Sequence, residues 1–406
     1  MNKNIPFSPP AISEQSIESV VETLRSGWIT SGPKVAKFEA ELTKYMHTDD
    51  TICLNSATAA LESALRVLGI GPGDEVITSA YTYTASASVI DHVGAKIVLV
   101  DTDPDTLEMD PEQVEAALTE NTKAIIPVDI AGVICNYERL YDIALRNRRT
   151  FKSSNPIHHL IGRIAIISDG AHSFGASIKS KMSGTFADFT AFSFHAVKNL
   201  TTAEGGALTW SLPIGDSQLI KEKLRTLNLH GQTKDARTKM ELGNWEYDIE
   251  VLGYKNNLTD IAAAIGLEQL KEYGDNLKRR HEIIQKYDEN LDTKYIKTLN
   301  HKKDHEFSSG HLYLTWVKGI NEYERNEIIK RMAEHGIATN VHFKPLPLFT
   351  AYKNYGFDIK DFPNAFNHYK NEITLPLYPQ LTNEEVDYII DAFNKVVREV
   401  KEVSRV

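Results

Sequence analysis

The side chain with the clearest potential for covalent chemistry lies in residues 192–206, FSFHAVKNLTTAEGG. Lys198 stands there in a stretch with almost no other charge, followed by small residues and a Glu-Gly-Gly turn. A desolvated lysine is disfavoured in its charged form, so its amine is more available as a nucleophile. Amines of this kind form Schiff bases with carbonyl compounds. A lysine alone is more often a surface or salt-bridged residue, so this chemistry requires partners elsewhere in the chain.

The first partner is an acidic residue upstream of the lysine. Asp169 follows an apolar stretch, Arg163–Ser168, that is predicted to be a strand. Pyridoxal 5'-phosphate (PLP), one of the carbonyl compounds that lysines bind, acts as an electron sink only while its ring nitrogen is protonated, and a buried carboxylate retains that proton. Lys198 and Asp169 together therefore indicate a PLP site. His172 could reach the ring hydroxyl of the cofactor, although alone it would be taken for a structural histidine.

A second group of residues could hold a phosphate and an aromatic ring. The predicted strand Thr51–Leu54 leads through the small-residue turn 55–58 (NSAT) into a predicted helix, and a helix N-terminus binds phosphate through its unpaired N–H groups. A simple N-cap by Ser56 or Thr58 is the alternative explanation. Ser193 could add a hydroxyl group. Tyr83 follows the predicted strand Glu75–Ser79, where its ring could stack on a flat cofactor.

Two other patterns do not support a ligand site. The glycines in residues 69–73 (GIGPG) follow a predicted helix and include a proline, so they lack the strand–loop–helix context of a dinucleotide site. His301 and His305 have a ligand-like spacing, but no third ligand is apparent, and a solvated loop is predicted instead of a metal site. We predict that the chain has no metal centre.

The elements that must position these residues alternate between strands and helices in the first 210 residues. Strands are predicted at Thr51–Leu54, Glu75–Ser79, Lys96–Val100, Ala124–Val128 and Arg163–Ser168, with helices such as Thr58–Leu68 and Pro111–Leu118 between them. Several of these strands are apolar along their whole length, which is typical of strands that are buried on both faces. The predicted fold is α/β, a mostly parallel sheet wrapped by helices, with ligands at the carboxyl ends of its strands.

The pattern changes after about residue 250. A long helix is predicted over Leu258–Leu291 with Gly274 as a candidate break, followed by strands at Leu312–Val317 and Ile337–Val341 and a final helix from Asn383. We predict a large PLP-binding domain over residues 1–255, and a linking helix with a smaller C-terminal α+β domain over residues 256–406. The basic segment 146–163 is predicted to be a solvated surface insertion, with an anion-contacting loop as the alternative.

Composition restricts the class of protein further. The chain has 406 residues, 45 basic and 55 acidic, a net charge of −10 that disfavours nucleic acid as a partner. No stretch approaches the roughly 18 apolar residues of a membrane span, and the N-terminus lacks the apolar stretch of a secretory signal. The two cysteines are expected to be reduced and buried. These features predict a cytoplasmic enzyme that has no membrane partner.

With these motifs assembled, the chain resembles the DegT/StrS-type nucleotide-sugar aminotransferases, which are fold-type-I PLP enzymes. The resemblance extends along most of the chain, and the segment around Lys198 is highly specific. The matching segments are SGWITSGPKVAKFE (26–39), NSATAAL (55–61), GPGDEVIT (71–78), DGAHSFGA (169–176), FSFHAVKNLTTAEGG (192–206), GYKNNLTDIAAAIGLEQL (253–270), VHF (341–343) and LPLYP (375–379).

The resemblance implies a role for each matching residue. It makes Lys198 the Schiff-base lysine, which also moves the proton during the reaction, Asp169 the partner of the pyridine nitrogen, and His172 the residue near the ring hydroxyl. The resemblance also assigns the remaining site residues: Ala57 and Thr58 to the phosphate by their backbone, Ser193 to the phosphate by its hydroxyl, Tyr83 to the face of the ring, and His342 to the sugar-nucleotide site. It assigns Asn257 to the site of a neighbouring subunit, with Asn256 as the alternative, because relatives often have an asparagine at the position of Lys255.

The function that the resemblance implies is transfer of an amino group from L-glutamate to a nucleotide-linked keto-sugar, with a 4-keto-6-deoxyhexose ahead of 3-keto sugars. The enzyme would be a homodimer with shared active sites that serves amino-sugar and surface-polysaccharide biosynthesis. Two alternatives keep the scaffold. One is a PLP-dependent sugar dehydratase, whose members have a histidine where Lys198 stands, and the other is a non-catalytic regulator, in which Lys198 and Asp169 would have no purpose.

Overall fold

A computed structural model describes residues 4–212, 217–233 and 246–403 of the chain. Its α-helices are α1 (Glu14–Ser26), α2 (Pro33–Met46), α3 (Ala57–Val67), α4 (Ala85–His92), α5 (Pro111–Ala116), α6 (Tyr137–Arg146), α7 (Pro156–Ile161), α8 (Ser217–Asn228), α9 (Asp260–Asn290), α10 (Glu322–Glu334), α11 (Thr350–Asn354), α12 (Pro363–Tyr369) and α13 (Asn383–Val403). Its strands are β1 (Asp50–Leu54), β2 (Glu75–Ser79), β3 (Lys96–Val100), β4 (Thr122–Ile126), β5 (Ala165–Asp169), β6 (Ser177–Ile178), β7 (Lys181–Met182), β8 (Phe189–Ser193), β9 (Gly206–Trp210), β10 (Ile296–Thr298), β11 (Lys302–Lys303), β12 (Glu306–Phe307), β13 (Tyr313–Val317) and β14 (Glu372–Leu375).

The main sheet has seven strands in the order β1-β9-β8-β5-β4-β2-β3. The pairs β3·β2, β2·β4, β4·β5 and β5·β8 are parallel, whereas β9 runs antiparallel to both of its neighbours. Along β5, Ala165 and Ile167 join one apolar cluster and Ile166 joins another on the opposite face. Both faces of the sheet are therefore covered, and the predicted α/β class is confirmed.

The C-terminal part of the chain forms a smaller α+β unit. Strands β10, β13 and β14 make an antiparallel sheet, and its apolar cluster includes side chains of α9, α10 and α13. Leu314 and Phe362, which follow α9, pack instead in the cluster of the main sheet. The division of the chain at residue 255 stays a prediction.

The predicted elements are in place with a few corrections. Strand β4 ends at Ile126, before the predicted end at Val128, because Pro127 has no N–H group to continue the ladder. Helix α9 continues through Gly274, since a glycine costs only about 1 kcal/mol in a helix this long. The strand predicted at Ile337–Val341 was wrong, since only isolated bridges of Ile337 and Asn340 occur there.

Two predictions of solvated segments need correction. His301 is buried, and its Nδ1 lies 2.8 Å from Ser308 Oγ, so it is a core side chain. The basic segment contains α7, whose Ile157 and Ile161 are buried although residues 148–150 are exposed. Asn155 Nδ2 donates to Val67 O at the C-terminal end of α3, so this segment lies away from the strand ends that carry the site.

Both cysteines are buried and free, as predicted. Cys53 lies in β1 and Cys135 lies beyond β4, where its backbone N–H donates to a side-chain oxygen of Asp129 at 3.0 Å. Burial raises the pKa of both thiols well above the usual value. Separately, no helix of the described residues has both the length and the apolar character needed to cross a membrane.

Candidate active site

A cavity of about 490 Å³ opens at the carboxyl edge of the main sheet. Its walls come from the loops after β1, β2, β5 and β8, and from segments that follow α9. Eight of the nine residues predicted for the site line this cavity: Ala57, Thr58, Tyr83, Asp169, His172, Ser193, Lys198 and His342. The structure thus brings together residues that are far apart in the sequence.

Lys198 lies in the loop between β8 and β9. Its side chain is partly buried, and its backbone N–H donates to His195 O at 2.9 Å. The next residue, Asn199, donates from Nδ2 to Ser309 O at 2.8 Å, which fixes the loop against a distant segment. Burial lowers the pKa of Lys198 to about 8, and the charge of Asp169 opposes that shift. Near neutral pH a much larger fraction of this amine is therefore unprotonated than in an ordinary lysine, although the protonated form still predominates.

Asp169 is the last residue of β5 and is nearly fully buried. Its Oδ2 accepts from Ser86 Oγ at 2.6 Å, and its Oδ1 accepts from the backbone N–H of Ala171 at 3.2 Å. Burial raises the pKa of Asp169, while these two hydrogen bonds and the charge of Lys198 lower it. The carboxyl group therefore has donors that stabilise its ionised form in a buried setting.

A second buried carboxyl group, that of Asp129, lies beside the end of β5. Asp129 accepts from Tyr137 Oη at 2.9 Å and from Ser173 Oγ at 2.7 Å, and its backbone N–H donates to Asp169 O at 3.1 Å. Burial raises the pKa of Asp129 to about 6. Asp129 thus holds the backbone of Asp169, which precedes His172, and the side chain of Ser173, which follows it.

His172 is oriented by a backbone contact. Its Nδ1 accepts from the N–H of Ala131 at 3.2 Å, which leaves Nε2 to carry the proton of the neutral ring. Its ring lies 4.4 Å from the ring of His311 and stacks on Phe343 at 5.8 Å. Burial, with Lys198 and His342 adding to it, lowers the pKa of His172 well below the usual value. His172 is therefore a neutral hydrogen-bond donor at Nε2.

The N-terminus of α3 has the features of an anion site. Ser56 caps this helix, since its Oγ accepts from the N–H of Ala59 at 3.1 Å. Within the described part of the chain, the N–H groups of Ala57 and Thr58 have no hydrogen-bond partner. Gly206 of β9 packs against this turn, and a Cβ atom at Gly206 would lie 2.4 Å from Ala57 N. The glycine therefore leaves the backbone open to a ligand.

The other predicted residues differ in how closely they approach the cavity. Ser193 lines it, and its Oγ accepts from the N–H of His195 at 3.4 Å. Tyr83 also lines it, but its side chain is 62% exposed in the single chain. Asn257 does not line this cavity, and its Nδ2 donates to Ser31 Oγ. A contribution of Asn257 to a neighbouring subunit's site stays a prediction.

His342 comes from the segment after α10. Its Nδ1 lies 2.9 Å from Thr374 Oγ1, and its carbonyl oxygen accepts from Tyr81 Oη at 2.8 Å. Burial lowers the pKa of His342 to about 3, and the charge of Lys198 adds to that shift. The side chain therefore faces the cavity as a neutral imidazole, as those of His172 and His311 do.

Sequence reasoning missed several residues of the site. Ser86 could have been suspected, because it stands three positions after Tyr83 in the same small-residue segment (SAYTYTASAS). Phe343 stands beside His342 in the matching segment VHF (341–343). His311 and Asp129 had no comparable signal, since only the tertiary fold brings them to His172 and Asp169.

These residues fit PLP. The cofactor needs an amine for its aldehyde, a carboxylate for its ring nitrogen and an anion site for its phosphate. Lys198, Asp169 and the α3 turn provide these three groups in one cavity.

Comparisons with known proteins agree with this geometry. The family model of the DegT/DnrJ/EryC1/StrS aminotransferases matches residues 10–394. The spore coat polysaccharide biosynthesis protein SpsC of Bacillus subtilis is 39% identical over 98% of both chains. The structure also aligns with Spr1654 of Streptococcus pneumoniae, described as a sugar aminotransferase, with a TM-score of 0.95 for its PMP form at 54% identity, covering 98% of this chain and 100% of that chain.

A structure of the same protein in its PLP form has a TM-score of 0.95 at 52% identity, again covering 98% of this chain and 100% of that chain. PseC of Helicobacter pylori, an aminotransferase involved in the biosynthesis of pseudoaminic acid, aligns over 98% of this chain and 100% of that chain at 27% identity, with a TM-score of 0.85. The match to the family model covers nearly the whole chain. The chain therefore belongs to the DegT/DnrJ/EryC1/StrS aminotransferase family of PLP-dependent sugar aminotransferases.

Proposed function

We propose that the enzyme transfers an amino group from L-glutamate to a nucleotide-linked keto-sugar, with an NDP-4-keto-6-deoxyhexose as the acceptor. The observation that carries this proposal is the placement of Lys198 and Asp169 in one cavity together with three neutral histidines. The names of SpsC and PseC support a role in amino-sugar and surface-polysaccharide biosynthesis. A cytoplasmic location is part of the proposal.

Some residues of the chain would bind parts of the cofactor, and others would transfer protons. PLP supplies an electron sink for the α-carbon of the amino donor. Asp169 holds the proton on the ring nitrogen, and His172 donates from Nε2 toward the ring hydroxyl. The N–H groups of Ala57 and Thr58 would bind the phosphate together with Ser193 Oγ, and Tyr83 would pack against the ring.

Lys198 has two tasks in this scheme. Its Nζ would hold the cofactor covalently in the resting enzyme, and once released Nζ would carry the proton removed from the α-carbon of glutamate. A pKa near 8 suits both tasks, because the amine can exist in either protonation state near neutral pH. In the second half of the cycle Lys198 returns a proton to the carbon that receives the amino group.

The alternatives fit less well. A sugar dehydratase of this family would have a histidine at the position of Lys198. In a non-catalytic regulator the lowered pKa of Lys198 and the buried Asp169 would have no role. We therefore retain the aminotransferase as the proposal.

The decisive test uses Lys198→Ala. The wild-type enzyme is expected to show a visible absorbance band that shifts when glutamate is added, followed by amination of one keto-sugar in a panel of 3-keto and 4-keto sugars on UDP, dTDP and GDP. Lys198→Ala should lose this turnover by several orders of magnitude. Wild-type turnover by Lys198→Ala would contradict the mechanism, and a wild-type enzyme that aminates no member of the panel would contradict the acceptor class.

A further inference from the structure

The ring of His342 is connected to a buried carboxyl group behind the cavity wall. Its Nδ1 lies 2.9 Å from Thr374 Oγ1, and the same hydroxyl oxygen lies 2.6 Å from Glu372 Oε1. Glu372 is fully buried, and its Oε2 accepts from the backbone N–H of His342 at 2.8 Å. We call these three side chains the Glu372–Thr374–His342 relay.

The number of protons in the relay fixes the direction of each hydrogen bond, because a hydroxyl group has one proton to donate. When Glu372 is ionised, Oε1 only accepts, so Thr374 donates to Glu372 and accepts from Nδ1–H of His342. When Glu372 is protonated, the proton must be on Oε1, since Oε2 faces an N–H group. Thr374 then accepts from Glu372 and donates to Nδ1.

These two arrangements give His342 Nε2 opposite roles in hydrogen bonding. A neutral imidazole carries its proton on one nitrogen only. With Glu372 ionised, His342 Nε2 is a hydrogen-bond acceptor, and with Glu372 protonated, Nε2 is a donor. Among the residues that the structure describes, none makes a hydrogen bond to Nε2, and the ring lines the cavity. Nε2 is thus available to the substrate.

The charged and titratable groups around the relay favour the protonated carboxyl group at neutral pH. Burial raises the pKa of Glu372 to about 8, although the hydrogen bonds that it accepts and the charge of Arg325 lower it. Tyr81 packs against the same segment, and burial keeps its hydroxyl protonated. Burial, with the charge of Lys198 on the cavity side adding to it, lowers the pKa of His342 and keeps it neutral, so the ring changes tautomer and not charge. His172 and His311, on the same side, are also neutral.

We propose that Glu372 and Thr374 are positioning residues that determine which ring nitrogen of His342 carries the proton. At neutral pH the relay presents Nε2–H to an oxygen acceptor of the substrate, and above the titration of Glu372 it presents a lone pair instead. The identity of that substrate rests on the proposed function, whereas the relay itself does not.

The direct test is nitrogen NMR of the holoenzyme with ¹⁵N-labelled histidine, with the His342 signals assigned by their loss in His342→Gln. Wild-type His342 should be protonated at Nε2 at about pH 6.5 and at Nδ1 at about pH 9.5, on either side of the Glu372 titration. In Glu372→Gln, the carboxamide oxygen must face the His342 N–H, so its NH₂ group faces Thr374. This variant should keep Nε2–H at both pH values.

Thr374→Val should break the relay, so that the tautomer of His342 no longer follows Glu372, while Thr374→Ser should restore the coupling. The matched control is Thr315→Val, because Thr315 Oγ1 is also buried in the small sheet but donates to Ile373 O at 2.6 Å. A His342 tautomer that does not change across this pH range in the wild type would overturn the proposal. So would a change that persists in Thr374→Val.

Kinetics provide the second measurement. Thr374→Val should raise KM for the accepted keto-sugar nucleotide roughly tenfold, the effect of one lost hydrogen bond, with a smaller change in kcat. Thr374→Ser should recover most of this loss. An unchanged KM in Thr374→Val would overturn the role in substrate binding. If no keto-sugar is aminated at all, the proposed function fails, but the NMR measurement still decides the relay.

Discussion

Ser86 connects the first turn of α4 to Asp169, the carboxyl group proposed to hold the ring nitrogen of the cofactor. Its Oγ donates to Asp169 Oδ2 at 2.6 Å and also lies 2.8 Å from Thr82 Oγ1. A buried carboxylate that loses such a donor becomes harder to ionise, because nothing replaces the missing water. The strength of the proposed contact between Asp169 and the ring nitrogen would therefore depend on the hydroxyl group of Ser86.

Ser86→Ala tests this dependence. The pKa of Asp169 should rise, because the Ser86 hydrogen bond lowers it. The affinity for PLP should fall by at least about tenfold, since hydrogen bonds to charged groups are worth about 1.5–3 kcal/mol. The measurement is an absorbance titration of the apoenzyme with PLP. Ser88→Ala is the control, because Ser88 Oγ in the same helix donates to the backbone oxygen Ala85 O and not to Asp169. Equal affinities in the two variants would show that Ser86 has no such role.

At the scale of elements, the contact between β9 and the start of α3 shapes the anion site. A Cβ atom at Gly206 would lie 2.4 Å from both Ala57 N and Ser56 C, distances that side-chain atoms do not adopt. The backbone of the α3 turn would have to move away from the position that its N–H groups need for phosphate. The glycine is therefore required by the approach of two elements and not by its own backbone angles.

Gly206→Ala should reduce the affinity for PLP by more than tenfold, because the phosphate-binding N–H groups are displaced. The affinity is measured by the same titration, with circular dichroism to check that the fold is retained. Gly274→Ala is the control, since a Cβ atom there meets nothing within 4 Å. It should leave PLP affinity unchanged and add up to about 1 kcal/mol to the free energy of unfolding. Wild-type affinity in Gly206→Ala would contradict the assigned phosphate site.

Sequence reasoning was most successful in predicting the secondary-structure elements. Strands β2 and β3 have the predicted bounds, because their apolar runs are flanked by clear turn residues. Lys198, Asp169 and His342 were predicted to share a site, and the structure brings them to one cavity. Asp129 and Glu372 were not predicted, since their contacts with Asp169 and His342 join residues at least 30 positions apart. Ser86 stands in the same segment as Tyr83, but its partner Asp169 is 83 positions away.

At the scale of the whole molecule, an exposed apolar segment over residues 247–252 is a candidate contact surface for a second copy of the chain. Tyr247, Ile249, Val251 and Leu252 are exposed close together in sequence, with Leu252 95% exposed. Exposed apolar side chains in such a group are typical of an interface. Asn257 follows this segment, and it bridges to Leu54, immediately before the α3 turn. This arrangement supports the proposed homodimer.

Mixing two inactive variants tests whether that dimer shares its active sites. If Asn257 acts in the partner's site, a hybrid of Lys198→Ala and Asn257→Ala chains contains one site with both changes and one intact site. Co-expression should therefore restore activity that neither variant has alone. The control pair, Lys198→Ala with Asp169→Asn, alters both sites of every hybrid and should stay inactive. Failure of the first pair to recover activity would show that each site is complete within one chain.

The two buried cysteines have a practical consequence. Cys53 and Cys135 lie in different apolar clusters, and burial keeps both thiols protonated. A thiol-reactive dye can reach either one only when the packing around it opens, so the rate of labelling counts opening events in two separate places. With the two sulfurs distinguished by mass spectrometry, labelling of the unmodified enzyme shows which of these two apolar clusters opens first.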